Sequence, residues 1–445
     1  MKRIQQPAHF LLAALLASAP AFAGDGARCH VGAYRLDDGS IVAVSALDDP
    51  AQLRWRRVDG HAGMLTRGAD GAWTSTQGWT GRADGVEVGF GGCDQARISF
   101  EGHAGERIEF DVTDTTFAGN GVMLRGRLVL PRGADKVPVA IEVHGSERDS
   151  AVDFNYLQYL FPAQGVGVFV YDKRGTGKST GTYTQDFHLL ADDARAALGE
   201  AVRLGGERVG RIGFHGSSQG GWVAPLAASQ SPRAQFVLVG YGMATDPLAE
   251  DRDQVMLDLR KAGYGEDVLA RAREVTDATG AIVASRGARG WEQLDQARAK
   301  YAAQPWWAAM KGEFTGMVAH HTRAQVEKMA PEHEVGTSWE YDPMPVLRKL
   351  EIPQLWIIAG DDSEAPPQET LRRLRQLAGE GRPITTMVFP GADHGIITFE
   401  TGADGERKGT GYADGYFRMM ADWVRDGRLG DGPYGNARPL ADPRP

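Results

Sequence analysis

The chain has 445 residues, of which 42% are hydrophobic and 24% charged, and its formal net charge is −9 at pH 7. This is ordinary globular composition, with length for two or three domains and a sizeable core. The acidic balance excludes nucleic acid as a default partner, because neutralising phosphates needs a basic surface.

Lys2 and Arg3 precede the apolar run Phe10–Ala17, and Ala21-Phe22-Ala23 follows. A positive region, a short apolar stretch and a small-x-small site predict a secretory signal peptide over residues 1–23, too short to span a bilayer comfortably. The expected location is the periplasm or the extracellular space. No cysteine directly follows Ala23, and no later run is long and apolar enough to cross a membrane, so no stable membrane anchor is expected.

Residues 24–112 are rich in Gly, Asp and Arg, with short β-type runs at Ser40–Leu47, Val86–Phe90, Arg97–Phe100 and Arg107–Val112. Turn signals such as Asp38-Gly39, Asp59-Gly60 and Asp70-Gly71 separate them, which predicts a small β-rich domain. Trp55, Trp73 and Trp79 fit core or turn packing there, with a ligand surface as the alternative. Cys29 and Cys93 are the only cysteines, and export predicts that they form a disulfide. Two cysteines alone make a poor metal site, and adjacent His320 and His321 point different ways on a helix.

From about residue 121 apolar runs of strand length alternate with helical segments. Val137–Val143, Val166–Tyr171, Val209–His215 and Phe236–Val239 read as buried strands, and Leu355–Ala359 and Thr385–Phe389 continue the series. Such alternation predicts a mostly parallel sheet with helices on both faces, divided over residues 113–242 and 342–430. Residues 243–341 lack strands and carry Trp291, Trp306, Trp307 and Trp339, so a helical insertion is expected there. Residues 431–445 are Gly-, Pro- and Arg-rich and are expected to form a flexible tail.

The stretch Tyr171–Gly181 contains GTGKST, the ending of a phosphate-binding loop. The pattern demands Gly at position 172, where this chain has Asp172, and the next helical pattern starts only near Phe187. No nucleotide is expected. The loop ends a strand, at the sheet edge where open α/β sheets bind ligands.

The chemistry sits in four further pieces. Gly216-Ser217-Ser218-Gln219-Gly220 fits G-x-S-x-G between a strand and a helix, the context that lifts a serine nucleophile above a sheet. His394 follows the last apolar strand and can act as the base for Ser218. Asp362, favoured over Asp361 and then Glu364, is expected to orient it from the loop after Leu355–Ala359. The backbone N–H of Gln219, with that of Ser146 or Gly145, is expected to form an oxyanion hole. His144 is expected to pack under that loop.

With His144-Gly145-Ser146, Asp172–Ser179, Gly216–Gly220, the Asp361/Asp362 loop and Gly391–Gly395, the chain resembles the α/β-hydrolases. It is most similar to their bacterial serine-aminopeptidase-like branch, and to secreted carboxylesterases with a β-rich N-terminal domain. The resemblance covers roughly residues 105–430. It implies an α/β-hydrolase fold with the insertion as a lid, and a structural role for the Asp172–Ser179 loop, anchored through Arg174 and capped by Asp172. Ser146-Glu147-Arg148 departs from the Gly-Pro that often follows His-Gly in the family, which leaves the second oxyanion donor open.

Three functions compete. A carboxylesterase would act on a small-molecule ester through an acyl-enzyme on Ser218. A peptidase of the same fold would need an anchor for a free amine, for which the insertion offers Glu250, Asp251, Asp253, Glu332 and Glu334. A non-catalytic binding protein is disfavoured by the intact serine, acid and histidine. No cofactor is implied, since these side chains supply nucleophile, base and orienter themselves.

Overall fold

The computed structural model describes residues 26–133 and 136–441; the expected signal peptide lies outside the described residues. Two large sheets organise the chain. The first has eight antiparallel strands in the order Trp73–Gln77, Ala62–Arg67, Gln52–Arg57, Ile41–Ala46, Gly32–Leu36, His103–Arg107, Arg97–Phe100 and Val88–Phe90. Tyr34, Val42, Val44, Leu53, Trp55, Leu65, Ile98 and Phe100 fill its core. Cys29 and Cys93 are disulfide-bonded.

The second sheet has nine strands: Arg438–Pro439, Ile384–Phe389, Gln354–Ala359, Val237–Gly240, Val209–Ser217, Val137–Val143, Gly167–Tyr171, Met123–Pro131 and Phe110–Ala118. The six between Ile384–Phe389 and Gly167–Tyr171 run parallel, and both edges are antiparallel. The parallel strands are mostly apolar because both faces are covered. Val139, Ile141 and Phe169 face a core shared with the helices Phe187–Gly205, Gly220–Ser229 and Gln368–Gly379. Ala140, Val168 and Val170 face the opposite core, with Leu157–Ala163 and Tyr416–Asp426. The period of two along each strand divides the two cores.

Two segments differ from the sequence reading. Phe110–Ala118 spans the expected boundary at residue 112 and belongs to the second sheet, since its run F-D-V-T-D-T-T-F-A holds no turn signal. The expected flexible tail is partly built in: Arg438 and Pro439 pair with Val388 and Met387, and buried Tyr434 donates its hydroxyl to Asp422 at 2.8 Å. One aromatic anchor outweighs the Gly/Pro-rich composition around it.

Residues 247–333 supply five helices: Pro247–Lys261, Glu266–Ala284, Trp291–Tyr301, Thr315–His320 and Arg323–His333. Asp246 caps the first from the Ala249 N–H, and Thr322 forms a capping box with Gln325. Trp306 and Trp307 pack into a separate core with Val255, Leu259, Leu269 and Leu294. Trp291 and Trp339 line a cavity of about 290 Å³ between these helices and Arg148 and Gln185. Among the described residues, no helix is long and apolar enough to cross a membrane.

The first sheet is locked onto the second unit. Arg56 lies 4.0 Å over the Tyr156 ring and donates to the Tyr412 hydroxyl at 3.1 Å. A hairpin, Ile397–Thr401 and Arg407–Tyr412, rises directly after His394 and meets the first sheet through a His61–Gly411 bridge.

Candidate active site

Ser218 stands between the strand Val209–Ser217 and the helix Gly220–Ser229, with φ of +51°. Left-handed backbone at a non-glycine residue is strained and is kept only where its surroundings enforce it. Here the Ser218 N–H donates to the Gly240 carbonyl at 3.1 Å, and the Gly221 N–H donates to the Ser218 carbonyl at 2.7 Å. The turn admits no side chain at its ends: a Cβ on Gly216 would lie 2.1 Å from the Gly220 oxygen, and one on Gly220 1.9 Å from the Val143 oxygen.

His394 reaches Ser218 from the loop after Ile384–Phe389. Its Nε2 is 3.0 Å from Ser218 Oγ, and its Nδ1 is 2.9 Å from Asp362 Oδ2. A carboxylate only accepts, so Nδ1 carries a hydrogen, and in the neutral ring Nε2 then offers its lone pair to the serine hydroxyl. Burial opposes a charge on the ring, but the carboxylates of Asp362, Glu364 and Glu250 outweigh it and push the His394 pKa up to about 9.

The three acids considered from sequence go to different places. The other oxygen of Asp362 accepts the N–H groups of Glu364 at 3.0 Å and Ala365 at 2.8 Å, which fixes the carboxylate. Asp361 turns away and accepts the Gly391 N–H at 2.7 Å. Glu364 lies 3.7 Å from His394 Nε2, on the exposed rim.

Three further neighbours surround His394: Tyr241, which carried no signal in the sequence, and Asp393 and Glu250, which were named there without this placement. The Tyr241 ring stands edge-on to His394, with centroids 4.9 Å apart, and its φ is +41°. Asp393 ties the histidine loop to the acid loop, accepting the Ser363 N–H at 2.7 Å and pairing with Arg407 at 2.8 Å. Glu250, on the helix Pro247–Lys261, interacts electrostatically with His394, and burial raises its pKa well above the usual carboxylate range.

The His144–Ser146 loop lies against the serine: a Cβ on Gly145 would sit 3.2 Å from Ser218 Cβ. Neither the Ser146 N–H nor the Gln219 N–H forms a hydrogen bond among the described residues. The Ser146 carbonyl accepts from the Tyr183 hydroxyl at 2.6 Å, and the Gly145 carbonyl accepts from Lys173 Nζ. His144 is buried, with Nδ1 3.5 Å from Glu147.

The Asp172–Ser179 loop is occupied with its own side chains. Asp172 accepts the Lys178 N–H at 3.0 Å, the Ser150 hydroxyl at 2.7 Å and the Val152 N–H at 3.1 Å. A carboxylate thus fills the place where a phosphate loop would present amides to a ligand. Arg174 grips buried Asp193 with two bonds of 2.7 and 2.8 Å. Among the described residues, the cluster of metal-ligating types Cys29, His30 and Cys93 has both sulfurs tied in the disulfide.

The alpha/beta hydrolase family profile matches residues 143–404. The chain belongs to the alpha/beta hydrolase family. No curated protein matches the sequence. Among solved structures, it is similar to an esterase of Pyrococcus furiosus at 16% identity and TM-score 0.41, covering 64% of this chain and 83% of that one. It is similar to the acylaminoacyl peptidase of Pyrococcus horikoshii at 13% identity and TM-score 0.45, covering 88% of this chain and 57% of that one. It is also similar to Est1E of Butyrivibrio proteoclasticus, solved with ferulic acid bound, at 16% identity and TM-score 0.39, covering 70% and 96%.

Proposed function

We propose that this alpha/beta hydrolase is an exported serine carboxylesterase. The observation that carries the reading is the continuous chain Ser218 Oγ–His394 Nε2, His394 Nδ1–Asp362 Oδ2, at 3.0 and 2.9 Å, on a strained strand-to-helix turn. Ser218 attacks the ester carbonyl as His394 takes its proton. The N–H groups of Gln219 and Ser146 hold the oxyanion. His394 then protonates the leaving alcohol, and a water activated by the same ring releases the acid from the acyl-enzyme. Export rests on residues 1–23, and the Cys29–Cys93 disulfide is compatible with it.

A second reading, a peptidase that anchors a free amine, is favoured by the lid acids Glu250 and Glu313, which interact with each other near His394 and Glu364. Burial raises the pKa of both, which disfavours the charged carboxylates that an ammonium would need, so the ester reading is preferred.

The test is hydrolysis of a short-chain p-nitrophenyl ester beside an aminoacyl p-nitroanilide, with Ser218→Ala as control. Ester turnover that disappears in the variant is expected. Dominant anilide turnover would move the protein to the peptidases, and no Ser218-dependent turnover of either would overturn both.

A further inference from the structure

We infer that the N-terminal sheet supplies one wall of the substrate site, and that Trp79 with Phe399 binds an uncharged aromatic group on the alcohol side of the ester. The inference rests on the esterase reading for the identity of the bound group. A cavity of about 230 Å³ opens beside His394, lined by Trp79, Ile397, Phe399, Arg407 and Glu364. Trp79 comes from the loop after Trp73–Gln77, far earlier in the chain than the others, which all lie beyond residue 360.

Trp79 is held firmly yet left open. Its N–H donates to the Gly409 carbonyl at 2.8 Å, and a Cβ on Gly409 would lie 2.8 Å from its ring, so only glycine lets the indole lie this close. The Arg54 guanidinium supports the ring at 4.4 Å from its centroid, and Tyr412 meets it edge-on at 5.6 Å. Even so, Trp79 remains 39% exposed, and the other large apolar side chains this exposed among the described residues, Val112 and Met123, lie outside the cavity. A rigid aromatic kept uncovered at the mouth of a cavity is a binding wall.

The charges select the ligand. Arg407 already lies 3.9 Å over the Phe399 ring and pairs with Asp393, and Arg54 already lies over Trp79. A cationic ligand would meet both guanidiniums at the aromatic faces. An anionic one would meet Glu364 and Asp393, which also line the cavity. A neutral planar group meets neither objection. The side is set by chemistry: His394 delivers its proton to the leaving oxygen, so the alcohol lies on the imidazole side, away from the Gln219 and Ser146 amides.

The experiment compares 2-naphthylmethyl acetate with ethyl acetate, which share an acyl group. In Trp79→Ala the ratio of kcat/KM values, aromatic over ethyl, is expected to fall roughly three- to tenfold. Trp79→Phe is expected to restore most of it. A ratio unmoved in Trp79→Ala, whether both rates stay or fall together, would overturn the inference. Calorimetric binding of 2-naphthylmethanol to Ser218→Ala, with and without Trp79→Ala, needs no turnover. Weaker binding in the double variant by a similar factor is expected, and equal binding would overturn the wall even where the esterase reading holds. Ester turnover that survives Ser218→Ala would instead overturn the esterase reading and leave the binding result to decide on the wall.

Discussion

Buried Lys173 donates its ammonium to the carbonyl of Gly145, beneath the loop that flanks Ser218. The peptide joining Gly145 to Ser146 is trans, so its carbonyl and its N–H point opposite ways. Holding the carbonyl on one side therefore aims the Ser146 N–H at the other, and Tyr183 secures the next carbonyl at 2.6 Å. Under the proposed mechanism, the Asp172–Ser179 loop thus orients the Ser146 N–H through Lys173. Lys173→Met is expected to lower kcat roughly 10- to 100-fold, part of the loss seen when one such donor is removed, with KM little changed. Affinity for a boronic acid mimic of the tetrahedral intermediate should fall in step with kcat. Burial pushes the Lys173 pKa down to about 8 against the pull of Glu147, but amine and ammonium both donate, so the contact persists across that range. A parallel rise in KM would instead mark Lys173 as a substrate-binding group.

Pushed up to about 9, the His394 pKa keeps the ring protonated into the alkaline range. Only the neutral ring can take the Ser218 proton, so activity is suppressed below that value and recovers above it. A plot of kcat/KM against pH is expected to rise through about 9. Glu364 favours the cation from 3.7 Å, so Glu364→Gln should move the rise to lower pH. A profile already flat from neutral pH upward in the unaltered protein would contradict this electrostatic account.

Asp361 and Asp362 are neighbours with opposite fates. Asp362→Asn is expected to lower kcat by about 10⁴-fold, because the amide no longer fixes the tautomer. Asp361→Asn weakens one bond to the Gly391 N–H and is expected to cost less than about tenfold. Steady-state kinetics on the two variants checks the difference, and similar losses would reassign the acid.

Arg174 and Asp193 form a pair shut away from water. Arg174→Ala leaves the Asp193 carboxylate buried without its partner and is expected to destabilise the fold by about 3–5 kcal/mol. Arg174→Lys cannot make both bonds and should recover only part. Urea unfolding gives both values, and an unchanged midpoint for Arg174→Ala would refute the structural role.

The central sheet was legible because its strands are apolar runs, and both Ser218 and His394 lie in loops directly after such runs. Asp362 stood among three acids within four positions, and the preference for it rested on chain order and loop position. The antiparallel strand Met123–Pro131 and the hairpin after His394 escaped notice, since L-R-G-R-L and K-G-T-G-Y carry little apolar weight. Lys173 was visible as part of a loop, but its target was not, because 28 positions separate it from Gly145. Tyr241 had no local signal, and Trp79 could be read from sequence only as packing or a ligand surface: what matters is the surface each one meets, which only folding creates.

The bond from Arg56 to the Tyr412 hydroxyl joins positions 356 apart, and the hairpin it grips continues straight from His394. Arg56 must therefore wait for a segment made 356 positions later before this junction can close. Ring closures this wide are entropically expensive and slow. Closure of the junction is a late step of folding, and a truncation that spares Ser218, Asp362 and His394 but removes either partner leaves the hairpin after His394 without this support.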